Sequence, residues 1–509
     1  MRITNRIITN NSLSNINRVK TTQDKLNVMM ATGKKITKPS DDPVVAIRAL
    51  RLRSGSSKID QYYEKNTKDA EAWMKVTDTT LHTVSEVLED MLEQVGKGTS
   101  DTMATSERKT ITEYLASLAK EIYDNGDADY ADRYIFTGYR TDVPLTFDRA
   151  TDLKYTITEQ LDKSAVDTVQ HVFMDDLMSF TTENYDSLTA SEQNIEVSDV
   201  HRIQLAYSAI DSGVAPQISY YDETGALNTV TANITMLGTG ADPYVNVADD
   251  AVNFIPETGE LIIGKDLYTK LMNTKDNPAT TDIDEGELRI EYEKSSWADG
   301  DLRPEHYFYC KTTDAEGREI VYNEEYLVGA GRQIIEYDTG ANQSIQINTL
   351  ADECFTHDIG RLVYDLNNAT EELATIDDIV LKLEKIVATE GLAAADVVVA
   401  EDKLNAAKKA QALQRDKVQK MFDASKTAVQ GFMERTSLAS TNCGSRESRL
   451  ALIQNRLSDQ QTTMDNLVSE NEDCDETEVA IELAGAKLSY EAALMATSKI
   501  TQTTLLDYI

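Results

Sequence analysis

Five histidines (His82, His171, His201, His306 and His357) and four cysteines (Cys310, Cys354, Cys443 and Cys474) are the residues best suited to hold a metal or attack a substrate. Their spacing argues against both roles. No histidine pair stands at the HExxH interval, and no CxxC brings two thiols within reach of one ion. The phosphate-cradling GxxxxGK[ST] loop and the GxSxG nucleophile elbow are also missing. The histidines read as surface or loop residues and the cysteines as free thiols. Acidic residues are abundant, but a crowd of Asp and Glu is a solvated surface, and no pair stands out as acid and base. The trio Arg48, Arg51 and Arg53 reads as salt bridging to acidic helices rather than as a phosphate site. The sequence predicts no catalytic residue, no metal, no cofactor and no enzyme.

Charge is the next constraint. The 509 residues carry 50 Lys and Arg against 87 Asp and Glu, a net charge of -37. Such a surface repels phosphates, so nucleic acid is not an expected partner. Charge is also segregated. Residues 1–60 hold twelve basic and four acidic side chains, a balance of +8, whereas residues 465–509 hold two and ten, a balance of -8. Either the two ends pair, or these are two solvated faces. No apolar run approaches the roughly 20 residues of a membrane span. The first ten residues lack the apolar stretch of a secretion signal.

The elements expected to carry these residues are mainly helical at both ends. Leu13, Ile16, Val19, Leu26 and Met30 recur on one face of a first helix that Gly33 ends. In Pro39-Ser40-Asp41-Asp42-Pro43, Asp42 suits an N-cap and Pro43 the first helical position. A helix from Val44 to about Val95 follows, with a heptad seam at Leu81, Val84, Leu88, Met91 and Val95. Another is expected from about Ser106 to Tyr123. From 141 to 349 short strands dominate, with six of the eight prolines, a hairpin turning at 314–317 and another at Asp338-Thr-Gly340. A short helical patch is expected at 171–179. Helices return after Thr349, with an Ala-rich stretch at 392–412 and a seam through Leu450, Ile453, Leu457, Gln460, Met464 and Leu467. An acidic break at 470–478 precedes a last helix, whose stripe is Ile481, Ala484, Leu488, Ala492 and Met495. The fold class is mainly α with a β-rich insertion, and the two ends pack side by side in one long-helix rod. The terminal stripes are either an ordinary helix pair or surfaces that meet neighbouring subunits; periodicity does not separate the two.

Four stretches then resemble one family. Met1-Arg-Ile-Thr4 with Ala31-Thr-Gly-Lys-Lys-Ile36 and the Pro39–Pro43 motif is similar to the opening of the flagellar hook-associated protein 3 family, within the flagellin superfamily. Tyr134-Ile-Phe-Thr-Gly138 resembles its strand after the N-terminal helices, and Gly444-Ser-Arg446 its C-terminal counterpart. Leu488-Ser-Tyr-Glu-Ala-Ala493 through Leu505-Leu506-Asp-Tyr-Ile509 is similar to its ending. The motifs span about 1–145 and 430–509. The resemblance implies an inner coiled-coil domain (1–42 with 470–509), a helical rod domain (43–140 with 350–469) and an outward-projecting β-rich domain (141–349). It implies a structural subunit between hook-associated protein 1 and flagellin, self-associated in a ring. Export through the flagellar type III apparatus, aided by a chaperone and without a cleaved signal, would place it outside the cell on the flagellum. The terminal stripes, with Leu505 and Leu506, would carry assembly. The middle is larger than the family's usual one, and four cysteines are unusual for it. The alternatives are flagellin itself, a secreted adhesin using the β-rich middle, and an enzyme inserted into a flagellin-like rod.

Overall fold

The computed structural model describes residues 5–100, 102–238, 242–245, 247–276, 287–313, 317–328, 332–388 and 394–502. Helix α1 (Asn5–Thr32) stops where Gly33 takes φ +69° and donates its N–H to Met29 O at 2.9 Å, a left-handed cap that glycine adopts without Cβ strain. Helix α2 (Pro43–Asp60) starts as read. The Asp42 carboxylate accepts from the N–H groups of Val44 and Val45 at 2.9 and 3.1 Å, and Pro43 occupies the first turn. The expected helix to about Val95 is continuous to Gly98, with a π segment, Gln61–Asn66, inserted between α2 and α3 (Thr67–Gly98). Gly98 is required there, because a Cβ would lie 2.3 Å from the Phe422 ring. Helix α4 spans Thr105–Gly126.

A hairpin of β1 (Asp129–Tyr130) and β2 (Arg133–Tyr134) follows. Then come β3 (Tyr155–Leu161), β4 (Val166–Phe173), β5 (Glu196–Gln204), β6 (Gln217–Tyr221), β7 (Leu227–Thr231), β8 (Asn233–Ile234), β9 (Val252–Ile255) and β10 (Glu260–Ile263). Helix α5 (Lys265–Met272), β11 (Leu288–Lys294), β12 (Tyr309–Thr313) and β13 (Glu319–Tyr322) complete the insertion. After β14 (Glu336–Gly340) and β15 (Gln343–Gln346), the chain returns to helix in α6 (His357–Val387), α7 (Ala394–Glu472) and α8 (Glu476–Gln502). The chain is mainly α with a β-rich insertion, as read.

Three local readings are corrected. The helical patch at 171–179 shrinks to one 3-10 turn at Leu177–Ser179, because His171–Phe173 complete β4. Asp338–Gly340 do not turn; they end β14, and Asn342, at φ +60°, lies in the connection instead. The acidic break is only 473–475, since Glu470–Glu472 finish α7 and the Asp475 carboxylate caps α8 by accepting from Thr477 N–H at 2.8 Å. The turn at 314–317 lies mostly outside the described residues, but β12 and β13 do pair antiparallel across it.

The chain divides into two compact units, 1–70 with 337–345 and 448–509, and 71–336 with 346–447. In the second, the expected seam Leu81, Val84, Leu88, Met91 and Val95 is buried, and α4 packs on α6. A five-stranded sheet, β4-β5-β10-β9-β8, faces a six-stranded sheet, β13-β12-β3-β11-β6-β7. Ile203, Phe254 and Leu261 of the first share one core with Ile157, Ile218 and Ile290 of the second. Alternation along each strand produces this inner face. A separate core joins Val172, Leu177 and Leu188 to Ile376, Ile379 and Leu383 of α6 and to Ala406, Ala407 and Ala410 of α7. The Ala-rich stretch is therefore a close-approach face: small side chains let α7 lie near its neighbours.

Candidate functional site

In the first unit the ends of the chain meet. Helix α1 packs on α8. Their less exposed residues recur every three or four positions: Ile8, Ser12, Ile16, Val19, Gln23 and Leu26 on α1, and Val479, Leu483, Ala486, Tyr490 and Ala493 on α8. That spacing gives a coiled-coil-like seam, lined mostly by small or half-exposed side chains.

The connectors beside this seam are stitched together. Lys34 and Asp473 form an antiparallel bridge, Lys35 N–H donates to Glu472 O at 2.7 Å, and Cys474 N–H donates to Gly33 O at 2.9 Å. Charges reinforce the stitch. Arg53 grips Glu472 with both Nε (2.6 Å) and a terminal nitrogen (2.5 Å), and Lys34 meets Asp473 at 2.5 Å and Glu472 at 3.7 Å. The Arg53 hydrogen bond holds the Glu472 carboxyl below the usual range, and the Lys34 hydrogen bond does the same for Asp473. The opposite local charges of the two ends thus meet here. Of the basic trio, Arg53 alone makes an ion pair among the described residues.

The assembly stripes named from periodicity divide. Leu26 is buried, Ile16 and Val19 are half-buried, and Leu13 and Met30 are exposed. On α8, Ile481, Leu488 and Met495 leave 69%, 69% and 64% of their surface free, and Ala484 and Ala492 are exposed beside them. The stripe read from α8 is therefore not the one that packs on α1; it lies uncovered on another face. Leu505 and Leu506 lie outside the described residues. Sequence reasoning also missed an exposed apolar row on α2, Val44, Ile47 and Leu50, whose three-residue spacing was the available signal.

The family-like motifs do structural work. In the Pro39–Pro43 segment, Asp41 accepts from the N–H groups of Thr37 (3.2 Å) and Lys38 (3.0 Å), which hold its carboxyl low, while Asp42 caps α2. Ile135, Phe136 and Thr137 are buried, with Phe136 edge-on to Phe355 at 4.8 Å. Arg446 donates to Asn348 O at 2.6 Å and to Thr349 Oγ1 at 3.0 Å. All four cysteines are free thiols. Among the described residues no three His, Cys, Asp or Glu side chains gather as a metal site, and no helix is long and apolar enough to cross a membrane.

Residues 3–141 match the family model of the bacterial flagellin N-terminal helical region. The N-terminal part of this chain is similar to that family. Flagellar hook-associated protein 3 of Salmonella typhimurium strain LT2 is 26% identical over 176 residues, 34% of this chain and 55% of the relative. The protein of the same name from Escherichia coli K12 is 25% identical over 181 residues, 34% of this chain and 56% of the relative. The chain thus spans little more than half the length of these curated relatives. A solved flagellar hook-associated protein from Vibrio parahaemolyticus overlays with a TM-score of 0.34 at 11% identity, covering 85% of this chain and 100% of that one, a likeness too loose to argue from.

Proposed function

We propose that this chain is a structural subunit of the bacterial flagellum that joins the hook-associated ring to the filament. The observation that carries the reading is the pairing of α1 with α8 in a chain that resembles hook-associated protein 3, while Ile481, Leu488 and Met495 stay uncovered on α8. Apolar surface left in water becomes favourable contact, at about 25 cal/mol per Å², once a neighbouring subunit covers it. The partners under this reading are hook-associated protein 1 on one side, flagellin on the other, and further copies of the chain in a ring. An export chaperone holds the C-terminal region before delivery through the type III apparatus, and the subunit then works outside the cell. Residues 1–42 with 470–509 form the inner domain, 43–140 with 350–469 the helical rod, and 141–349 the outer domain. The chain does this work by packing, not by catalysis.

A strain deleted for the gene and viewed by electron microscopy tests the proposal. Hooks without filaments, with flagellin shed into the medium, are expected, and the intact gene restores filaments. Normal filaments in the deleted strain would overturn it. A strain that keeps hooks and sheds no flagellin at all would instead make this chain the filament subunit.

A further inference from the structure

Two helix faces of the first unit carry apolar side chains that the chain itself does not cover, and the charges around them are opposite. On α2, Val44, Ile47 and Leu50 leave 68%, 54% and 66% of their surface free. At 3.6 residues per turn the same face continues through exposed Arg51, Ser54 and Lys58, with exposed Arg48 at its edge. The helix has no acidic residue before Asp60. On α8, the face turned away from α1 carries Ile481, Leu488 and Met495, with the small residues Ala484, Gly485 and Ala492 between them. Exposed Glu478 and Glu482 border this stripe on one side and Glu491 on the other, and Lys499 stands in its last turn. Small side chains in the stripe let a second helix lie close.

One face is apolar and basic, the other apolar and acidic. Each suits the other better than it suits itself. Two α2 rows face to face would set arginines against arginines, and two α8 stripes would set glutamates against glutamates. Charge also sets the direction. Antiparallel helices bring Arg51 and Lys58 beside Glu482 and Glu478, and Lys499 to the start of α2, where Asp41 and Asp42 lie. Parallel helices would set Lys58 toward Lys499 and Asp42 toward Glu478. We infer that α2 of one copy docks antiparallel on α8 of a second copy, with Val44, Ile47 and Leu50 covering the stripe between Leu488 and Met495. The two faces differ, so the contact is head-to-tail. Each copy keeps one face free for the next, and the series closes as a ring or runs on as a helix. The inference rests on the junction reading for the ring that this contact builds. The apolar row spans only about 9 Å of helix. A stable complex buries about 1,200–2,000 Å², so a lone pair of copies associates weakly in dilute solution.

Photo-crosslinking of the full chain tests it. Benzoylphenylalanine is placed at Ile47 or, separately, at Ser54. This chain is mixed with a heavy-isotope copy that lacks the crosslinker, at millimolar protein and low salt. Peptides joining the two copies are expected, from Ile47 to 488–495 and from Ser54 to 478–485. Arg48→Glu with Arg51→Glu in the crosslinker copy is expected to lower their yield about fivefold. Glu482→Arg with Glu491→Arg in the heavy copy then restores it. Circular dichroism checks that each variant folds, and the crosslinks of the unreversed chains decide the matter where one does not. Joined peptides running from α2 to α2, crosslinks within one copy alone, no crosslink, or a yield that ignores the charge reversals would overturn the inference. Phosphatidylglycerol vesicles that bind the chain through Ile47, with no joined peptides, would assign the row to an anionic membrane surface instead. The deletion strain judges the junction role separately. Filaments lost there without the crosslink here remove this contact alone, and normal filaments there with the crosslink present remove the junction role alone.

Discussion

The terminal helices and the β-sandwich treat apolar side chains in opposite ways. On α8, Ile481, Leu488 and Met495 lie exposed, and the seam with α1 is built from Ser12, Gln23, Ala486 and Ala493 as much as from larger residues. In the sandwich, Trp297 is 2% exposed, with Phe147, Tyr155 and Tyr207 around its ring at centroid distances of 5.0 to 5.4 Å and its Nε1–H donated to Leu153 O at 2.7 Å. Ordering a residue costs about 1–2 kcal/mol, which the sandwich offsets by burial inside its own chain. The α1–α8 pair has little such burial. Under the proposed junction role, a subunit that stays soluble alone and holds fast once delivered gains from that contrast.

The largest effect is expected on the uncovered stripe. Ile481→Asp with Leu488→Asp should abolish filament attachment in complementation while leaving the thermal melt of the sandwich unchanged. Loss of folding throughout would mean that the stripe is an internal face. Proteolysis sharpens the same contrast. In a verified monomer both ends should be cut first, leaving a fragment that starts near Pro39–Ala46 and ends near Leu467–Glu478. Ends that resist as long as the sandwich does would remove the contrast altogether. In the opposite region, Trp297→Ala should cost about 3–5 kcal/mol in denaturant unfolding, the cost of an aromatic truncated in a packed core. The terminal helices should keep their proteolysis pattern in that variant.

How much of this was legible depended on range. Gly33, Asp42 with Pro43, and the seam Leu81–Val95 were readable because local chemistry decides them: a left-handed cap, orphan N–H groups, a single apolar stripe. Helix α8 was only half readable. Small and apolar residues lie nearly all round it, so the stripe through Ile481 and the stripe through Val479 fit helical spacing alike, and the partner α1 decides which is covered. The turn misplaced at Asp338–Gly340 has a similar cause, since Gly340 can sit at a strand end as readily as in a turn. Arg202 with Asp365 was invisible, because residues 163 positions apart meet only after sheet and helix pack.

Acid should separate the two regions. The buried His357 has its pKa pushed down to about 3 by desolvation, against about 6.5 unfolded. As pH falls below 6.5 the unfolded chain takes up a proton that the folded one refuses. Stability is therefore lost from about pH 6.5 downward, by about 1.4 kcal/mol per pH unit for this group. Glu159, raised by desolvation, works in the opposite direction, so the quantity to measure is the difference in slope between the wild type and His357→Gln. The terminal stitch follows another window. Glu472 and Asp473 are depressed, so their contribution is present above about pH 4.5 and is lost as pH falls through their folded values. Equal slopes for the wild type and His357→Gln between pH 6.5 and 5 would remove His357 from the account.

The smallest expected effect lies at the start of α2. Asp42 satisfies two N–H groups that no helical carbonyl can reach, those of Val44 and Val45. Asp42→Ala should cost about 1 kcal/mol, the usual worth of such a cap. At that cost, hydrogen exchange at Val44 and Val45 rises about fivefold. Asp42→Asn keeps the acceptor without the charge and should lose only a fraction of this, so the pair separates hydrogen bonding from attraction to the helix end. The sandwich amides should not respond to either change. Should Val44 and Val45 exchange at the wild-type rate in Asp42→Ala, Pro43 alone fixes the helix start, because its ring already holds φ near the helical value.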